Sequence, residues 1–401
     1  MGKVGECLAV AGGQPALGAP SSPFVAFVFE GGGQPHSELE QDFRGVRHAV
    51  ALDTLCTLMR LQSEGELDRV VLITDRRDLA AQAGSVGVVV DEDAAQGPFH
   101  FGTALCGVIR RHGAAAALVL GGAAAPLYGV EDFRAFVRLC RQGGACAVLN
   151  NPQSPDVVAF RPAQAACSAR LPETDSDNAL GHALVSVGCR RLLVENSAAI
   201  NFDVDTPTDC AVLDGEVGLG RQTRAALERC AWLGPIRTRL NAVEEVLGRE
   251  GGELALVGRV GPPVTSHINL HLRCRLRVFS EERGMRALGR VQAGSVVSLI
   301  GFLLEDVGPA RFFTHLGRCA DAALMDTRVL LAHWKKPYSD ADRFAADVGR
   351  TDLVTNPELA AFTQAAWDAD IPVVVGGHTL IYGGLWLLAD RALRRLAPVG
   401  V

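Results

Sequence analysis

The chain has 401 residues, of which 48% are hydrophobic and 21% are charged. A chain of this length and composition can bury large cores, and we expect it to form two globular domains. The net charge is −6 and no long basic run occurs. We therefore do not expect nucleic acid as a partner, because binding to a phosphate backbone needs a basic face.

The eleven cysteines are scattered along the chain without a C-x-x-C pair. This pattern argues against a disulfide framework and against a zinc knuckle. No apolar run reaches the roughly 18–20 residues that span a bilayer. Residues 1–21 are rich in Gly, Ala and Pro and predict a flexible tail rather than a signal peptide. We expect a cytoplasmic protein with no membrane partner.

Strands and helices alternate after this tail. Apolar runs and helical spacing predict, in chain order, a strand at 24–29, a helix at 45–62, a strand at 69–75, a helix at 101–112, a strand at 114–120, a helix at 130–141 and a strand at 145–149. The alternation predicts an α/β fold, a mostly parallel sheet with helices on both faces. Ligands of such sheets bind beyond the carboxyl ends of the strands.

Two of these strands run into glycine pairs or triplets. Gly31, Gly32 and Gly33 follow the first strand, and Gly121 and Gly122 follow the strand at 114–120. Glycines let backbone N–H groups come close to a phosphate. For the first loop, an ordinary tight turn explains the sequence equally well. The loop is neither a P-loop nor a G-x-G-x-x-G motif.

A third polar loop follows the strand at 145–149. It contains Asn150, Asn151 and Asp156 together with two prolines. This composition is typical of a rigid turn, and a structural role is the favoured interpretation. Asn150, Asn151 and Asp156 remain candidates to line the ligand cleft.

Two carboxylates lie close together near residue 204. Asp203 and Asp205 precede Thr206 and Pro207, which suit the N-cap and first turn of a helix. If the segment is the end of an extended strand, the spacing of two residues points both carboxylates to one face. A divalent cation that holds phosphates needs hard oxygen ligands of this kind. A lone D-x-D is nevertheless more often a simple turn.

These segments resemble a known family. The string F-D-V-D-T-P-x-D at 202–209, the glycine loop and residues 120–132 are similar to the nucleotidyltransferase superfamily of molybdenum-cofactor guanylyltransferase-like proteins, which includes the phospholactate guanylyltransferases. The resemblance covers about residues 22–214 and implies a nucleotide-diphospho-sugar-transferase-like fold. It implies transfer of a nucleoside monophosphate from a nucleoside triphosphate to a small phosphate- or hydroxyl-bearing acceptor. It also implies Mg²⁺ on Asp203 or Asp205, and no organic cofactor is identified.

The first two motifs depart from the family pattern. The family loop continues to an Arg and a Lys, but here no lysine occurs between Lys3 and Lys335, so that Arg44 or Arg47 would substitute. Where the family has a metal-binding Asp, this chain has Ala124 or Ala123. These departures favour an alternative, a degenerate protein that binds a nucleotide or nucleotide-sugar without transferring it. Any catalysis would then lie in the C-terminal domain. A third possibility is an assembly protein without a ligand.

The rest of the chain has no recognised family. Residues 215–235 are glycine-rich and predict a linker, and residues 236–401 predict a smaller α/β domain of unknown role. One strand is expected over 322–333. Polar residues at the strand ends predict a second ligand site, although solvated turns, buried ion pairs and helix starts also explain them. The candidates are Glu281, Arg283, Asp326, Arg328, His333 and His378. The nucleotide base, the acceptor and the oligomeric state are left open.

Overall fold

The computed structural model describes residues 22–91, 99–174, 176–286 and 288–396. The tail predicted for residues 1–21 lies outside this part of the chain. Within it, no helix combines the length and the apolar character that crossing a bilayer requires.

The first sheet contains seven described strands. They are β1 (Phe24–Phe29), β2 (Arg69–Ile73), β3 (Val89–Asp91), β4 (Ala116–Gly121), β5 (Cys146–Leu149), β6 (Val157–Arg161) and β7 (Arg190–Leu193). Their order in the sheet is β3-β2-β1-β4-β6-β5-β7. β6 is antiparallel to β4 and β5, and the other pairs are parallel. The prediction of an α/β fold with a mostly parallel sheet is confirmed.

Helices cover both faces of this sheet. They are α1 (Glu38–Ser63), α2 (Arg77–Ser85), α3 (Phe101–Arg111), α4 (Val130–Gln142), α5 (Ala163–Cys167) and α6 (Leu180–Ser186). The next helix, α7 (Pro207–Leu213), packs in a separate core cluster. Alternate residues of a strand point to opposite faces. Accordingly, Ala26 and Val28 of β1 pack with α1 and α4, whereas Val25 and Phe27 pack with α3.

A second sheet contains β8 (Glu253–Gly258), β9 (Arg275–Ser280), β10 (Ala322–Asp326) and β11 (Val373–Gly376). The order is β11-β10-β8-β9 and all pairs are parallel. The helices of this half are α8 (Arg221–Leu227), α9 (Leu233–Gly248), α10 (Pro262–His271), α11 (Leu299–Val307), α12 (Pro309–Gly317), α13 (Arg328–His333), α14 (Asp340–Asp347), α15 (Pro357–Trp367) and α16 (Gly383–Leu396). The chain leaves β8 towards β9 and returns to the other side at β10, so a ligand crevice is expected between the carboxyl ends of β8 and β10.

The single strand predicted over 322–333 is wrong. β10 ends at Asp326, and α13 begins at Arg328. The carboxylate of Asp326 explains the break, because its Oδ1 accepts the backbone N–H of Arg328 at 3.0 Å. A side chain that bonds its own backbone two residues on turns the chain away from the sheet.

The strand end predicted at Asp203 and Asp205 is also wrong, because residues 202–206 belong to neither sheet. The N–H of Val204 donates to the carbonyl of Ala123 at 3.0 Å, and Arg47 donates to the carbonyl of Val204 at 2.7 Å. These bonds take up the backbone groups that a neighbouring strand would need. The backbone is still extended, with φ −107° and ψ 124° at Phe202.

Helices of the first half share an apolar core with the second sheet. All residues of α7 are buried, and the hydroxyl of Thr208 donates to the carbonyls of Val375 at 2.8 Å and Asp347 at 3.1 Å. Phe43 of α1 contacts Phe344 of α14, with ring centroids 5.0 Å apart. One cluster therefore includes side chains from α1, α7 and the second sheet. The boundaries 22–214, 215–235 and 236–401 stay a prediction.

Candidate functional site

A cavity of about 640 Å³ lies at the carboxyl ends of β1, β2 and β4. This volume is within the range of small-molecule sites. Much of its wall is apolar, formed by Phe29, Ile73, Phe99, Phe101, Val119, Leu120, Pro155, Val158 and Leu180. Such a wall suits a flat, partly apolar group such as a nucleotide base.

The glycine loop forms one side of this glycine-loop cavity. Within the described part of the chain, the N–H groups of Gly31, Gly32 and Gly33 donate to no protein group. A Cβ added at Gly31 would lie 2.8 Å from Oδ1 of Asp75, and Gly32 has φ +128°. The loop therefore needs glycine and leaves backbone donors free, as binding to a phosphate requires.

The two glycines at the end of β4, Gly121 and Gly122, lie in different environments. Gly121 lines the glycine-loop cavity, whereas Gly122 lines neither cavity described here. A Cβ at Gly122 would lie 2.7 Å from the Cβ of Glu30 and 3.0 Å from that of Ala51. Gly122 thus permits close packing of the β4 loop against β1 and α1.

The two candidate cations beside the loop differ in position. Arg44 lies outside the glycine-loop cavity and donates to the carbonyl of Gly33, which also accepts a bond from Arg76 at 2.6 Å. Burial and then the charge of Arg76 lower the pKa of Arg44. Arg47 does line the cavity, and it forms an ion pair with the buried Glu30 at 3.0 Å. Arg44 therefore supports the loop, and Arg47 reaches the cavity.

Val204 fixes the two central carboxylates. Its side chain is fully buried, and its backbone is held from one side by Ala123 and from the other by Arg47. Since alternate residues of an extended chain point in opposite directions, Asp203 and Asp205 turn away from the core. Both line a second cavity. The sequence-based inference that the two carboxylates share a face agrees with this placement.

The carboxylates crowd one another. Burial, and then the charges of Asp205 and Asp156, raise the pKa of Asp203 well above its usual value. Burial, and then Asp205 and Asp177, raise the pKa of Asp156 to about 8. The hydroxyl of Thr379, from the second half, donates to Oδ1 of Asp203. Burial and mutual repulsion therefore favour the protonated, neutral forms of Asp203 and Asp156 until a cation or a donor compensates their charge.

The second cavity, of about 320 Å³, lies between the two halves of the molecule. The first half contributes Asn151, Asp156, Asn201, Asp203 and Asp205, and the second half contributes Arg259, Arg283, Arg286, Arg328, Arg343 and His378. Asp156 also lines the glycine-loop cavity, so the two cavities adjoin. We call this second cavity the interdomain cleft.

The residues predicted for a second ligand site fall into two groups. Arg283, Arg328 and His378 line the interdomain cleft with Asp203 and Asp205, so they belong to one site. Asp326 is fully buried behind them. Its carboxylate accepts hydrogen bonds from the guanidinium of Arg259 at 2.5 Å and 3.1 Å. Burial by itself would raise the pKa of Asp326, but the charge and hydrogen bonds of Arg259 outweigh burial, and the pKa is lowered.

Glu281 and His333 lie away from the interdomain cleft and meet at a helix start. The hydroxyl of Ser298 donates to Oε1 of Glu281 at 2.5 Å, and its N–H donates to Nδ1 of His333 at 3.2 Å. Ser298 is the N-cap of α11. The contacts of these two side chains are structural.

Asn150 holds a turn together and lines neither cavity. Its Oδ1 accepts the N–H groups of Asp156 at 3.0 Å and Val157 at 3.2 Å, and its Nδ2 donates to the carbonyl of Ile200 at 3.1 Å. Asn150 thus positions Asp156 and the turn that leads to Asp203.

His378 follows β11 and is stacked on Tyr382, with ring centroids 5.3 Å apart. Burial, and then the nearby Arg259, lower the pKa of His378 to about 3, so the ring is neutral near pH 7. Its Nε2 atom is buried without a hydrogen-bond partner in the described chain. A neutral histidine with a free ring nitrogen is suited to bonding a ligand rather than to carrying charge.

Sequence reasoning did not select several residues of the interdomain cleft. Arg259 directly follows β8 and Thr379 lies in the loop after β11, and a position beyond a strand end was the available signal. Arg343 lies within α14 and Asn201 in a short turn, where no sequence pattern marks them.

The side chains around Asp203 and Asp205 supply some, but not all, of the ligands that a hard cation needs. Asp203 and Asp205 offer carboxylate oxygens, the ligands that Mg²⁺ prefers. Within the described ranges, no group of three or more His, Cys, Asp or Glu side chains is arranged to hold a metal ion. Mg²⁺ commonly takes one or two carboxylates and completes its shell with phosphate oxygens and water, so the residues fit that mode.

No family model matches the chain, and no curated protein matches it. A nucleotide-diphospho-sugar transferase structure from Desulfovibrio desulfuricans G20 matches at 16% identity, with a TM-score of 0.39, over 54% of this chain and 97% of that one. A 4-diphosphocytidyl-2C-methyl-D-erythritol synthase from Anaerococcus prevotii DSM 20548 matches at 11% identity, with a TM-score of 0.34, over 47% of this chain and 95% of that one. Likenesses this distant support no conclusion about activity.

Proposed function

We propose that the protein is a nucleotidyltransferase that moves a nucleoside monophosphate from a nucleoside triphosphate to a small phosphate- or hydroxyl-bearing acceptor. The observation that supports this proposal most directly is the meeting of two cavities at Asp156. One has an apolar wall and free glycine N–H groups, and the other holds Asp203 and Asp205. A base, a phosphate chain and an acceptor can follow one another along such a path.

The reaction needs no protein nucleophile. An acceptor oxygen attacks the α-phosphorus, the bond from that phosphorus to the bridging oxygen of the β-phosphate breaks, and pyrophosphate leaves. A phosphate acceptor is already ionised, whereas a hydroxyl acceptor gives its proton to a neighbouring carboxylate or to water. The chain's own contribution is to orient the donor on the glycine loop and to align the acceptor in the interdomain cleft.

Asp203 and Asp205 are the residues that would hold Mg²⁺. The ion would neutralise phosphate charge when it is bound. Arg47, which lines the glycine-loop cavity and bonds the carbonyl of Val204, would keep the aspartate segment beside the donor phosphates. The free N–H groups of the glycine loop would bind phosphate oxygens.

The test combines binding with turnover. Thermal unfolding is measured with a panel of nucleoside triphosphates, with and without Mg²⁺, and pyrophosphate release is measured with candidate acceptors. We expect one triphosphate to raise the midpoint, because a ligand that binds only the native state stabilises it. In the Asp203→Asn/Asp205→Asn variant the Mg²⁺-dependent part of the shift and the release of pyrophosphate should both disappear. The exposed Asp352→Asn variant is the control.

A second candidate is a nucleotide- or nucleotide-sugar-binding protein without transferase activity. The observation in its favour is that Ala123 and Ala124, which stand where the family has a metal-binding Asp, are both buried in apolar clusters. This alternative predicts nucleotide binding that depends little on Mg²⁺ and no release of pyrophosphate. The same two measurements therefore separate it from the transferase.

A further inference from the structure

We propose that the second half of the molecule supplies an oxyanion-binding subsite that faces the aspartates across the interdomain cleft. The subsite consists of Arg259, Arg283, Arg286, Arg328 and Arg343, which we call the arginine wall. If the proposed transferase function holds, the ligand of this wall is the phosphate or carboxylate group of the acceptor. The inference of an oxyanion site itself depends only on the wall.

The wall lies where the second sheet is expected to bind a ligand. Arg259 directly follows β8, and Arg328 begins the helix after β10. The chain direction reverses between these two strands, and parallel sheets bind ligands at such points, beyond the carboxyl ends of the strands. Arg283, which follows β9, completes this edge.

The wall has an excess of positive charge. Three of its members are paired with carboxylates, as Arg259–Asp326, Arg328–Asp347 and Arg343–Asp340. Arg283 and Arg286 form no ion pair with a residue of the described chain, and the guanidinium of Arg283 instead lies 5.3 Å from the ring centroid of Tyr382. A bound anion would compensate these two charges.

The paired arginines are held in fixed orientations. Asp326 accepts two bonds from the guanidinium of Arg259, and Asp347 accepts bonds from Arg328 at 2.6 Å and 3.2 Å. The carboxylates of Asp326 and Asp347 are almost fully buried, so each guanidinium is held on the side that faces the protein interior. A guanidinium fixed in this way loses little freedom when its other edge binds an oxyanion.

Two buried nitrogens at the wall lack partners. Nε of Arg343 and Nε2 of His378 form no hydrogen bond with the described chain, and both residues line the interdomain cleft. A buried polar atom without a partner is unfavourable unless a ligand or water bonds it. Burial, and then the charges of Arg328 and Arg286, lower the pKa of Arg343 to about 10, which indicates that these cations crowd one another.

The aspartates and the arginine wall do not neutralise each other. In the described chain, no ion pair joins Asp203 or Asp205 to any arginine of the wall, although all of them line the same cavity. The gap between the two charged surfaces is therefore available to a small ligand. An acceptor that carries an oxyanion at one end would place its other end beside the aspartates.

The test is isothermal titration calorimetry of the full chain with inorganic phosphate, and separately with oxalate, without nucleotide or Mg²⁺. We expect one of these oxyanions to bind, and we expect Arg283→Gln to weaken it roughly tenfold or more, since a charge-assisted hydrogen bond is lost. Arg286→Gln should weaken it too, and this exposed residue can be replaced without disturbing the fold. Arg273→Gln, on the exposed Arg273–Glu250 pair, is the matched control and should bind as the wild type does.

Three results would overturn the proposal. They are the absence of binding of both anions to the wild type, binding that is unchanged in both Arg283→Gln and Arg286→Gln, and an equal loss in the Arg273→Gln control. If Arg283→Gln weakens nucleoside triphosphates as much as phosphate, the wall binds the donor and the acceptor assignment is wrong. Intact oxyanion binding without any release of pyrophosphate would refute the transferase function and leave the subsite standing.

Discussion

At the residue scale, one arginine connects the glycine loop to the aspartates. Arg47 of α1 bonds Glu30 at the end of β1 through two nitrogens, at 3.0 Å and 3.2 Å, and bonds the carbonyl of Val204 at 2.7 Å. Glu30 is almost fully buried. The position of Asp203 and Asp205 relative to the glycine loop therefore depends on this guanidinium as well as on the bond from Val204 to Ala123.

We expect Arg47→Met to destabilise the protein by about 3 kcal/mol, because it leaves the Glu30 carboxylate buried without a partner. The free energy of unfolding is measured by urea denaturation. The double variant Glu30→Gln/Arg47→Met removes the buried charge and should recover part of the loss. A double variant as unstable as the sum of the two single variants would contradict this explanation, because the two residues would then not be coupled.

At the scale of the element, α7 begins with the capping motif that the sequence predicts. Thr206 is the N-cap and Pro207 lies in the first turn. Oδ2 of Asp209 accepts the N–H of Thr206 at 2.7 Å, its hydroxyl at 2.9 Å and the N–H of Asp205 at 3.1 Å. The helix start therefore fixes the backbone of the neighbouring aspartate, and this links the stability of α7 to the geometry of the site.

We expect Asp209→Ala to lower the free energy of unfolding by about 2 kcal/mol, because it removes the acceptor that completes the capping motif and leaves buried N–H groups without acceptors. Asp209→Asn keeps an oxygen acceptor and should cost less. Urea denaturation of both variants makes the comparison. Equal losses in the two variants would show that the charge of Asp209, rather than its hydrogen bonds, is what matters.

The other elements differ in whether neighbouring residues or residues distant in sequence determine them. The buried strands β1, β4 and β5 were predicted from short apolar runs, because their residues are buried on both faces. The break after β10 was missed, since it depends on the contact of one carboxylate with a backbone N–H two residues on. Asp203 and Asp205 were identified as candidates, but their backbone contacts come from Ala123 and Arg47, which are distant in sequence.

At the scale of the whole molecule, the two halves share their interior. The cluster that contains α1 and α7 also contains β8, β10 and β11. Arg391 of α16 bonds Glu244 of α9 at 3.1 Å and Glu216, in the loop after α7, at 2.6 Å. The interdomain cleft is therefore bounded by a buried contact of α1 and α7 with the second sheet and its helices.

We expect residues 22–214 expressed alone to lack a cooperative unfolding transition, because the cut exposes the buried faces of α7 and of the N-terminal half of α1. Thermal unfolding followed by far-ultraviolet circular dichroism tests this expectation against the full chain, because the four tryptophans all lie beyond residue 214 and leave the fragment with little near-ultraviolet signal. A fragment with a sharp transition would instead show that residues 22–214 form an independent domain with the predicted boundary.

The sequence by itself determined the features that depend on nearby residues. These are the α/β class, the glycine loop after β1, the cap of α7, and the presence of Asp203 and Asp205 beside it. Each follows from a local period, a turn residue or a side chain that bonds its own backbone. The tertiary structure alone decided which strand ends meet. It placed Arg283, Arg328 and His378 in the same cavity as the aspartates and left Arg44, Glu281 and His333 outside it. No local sequence pattern predicts which side chains share a cavity, because this depends on the order of strands in the sheets and on the packing of α7 against the second sheet.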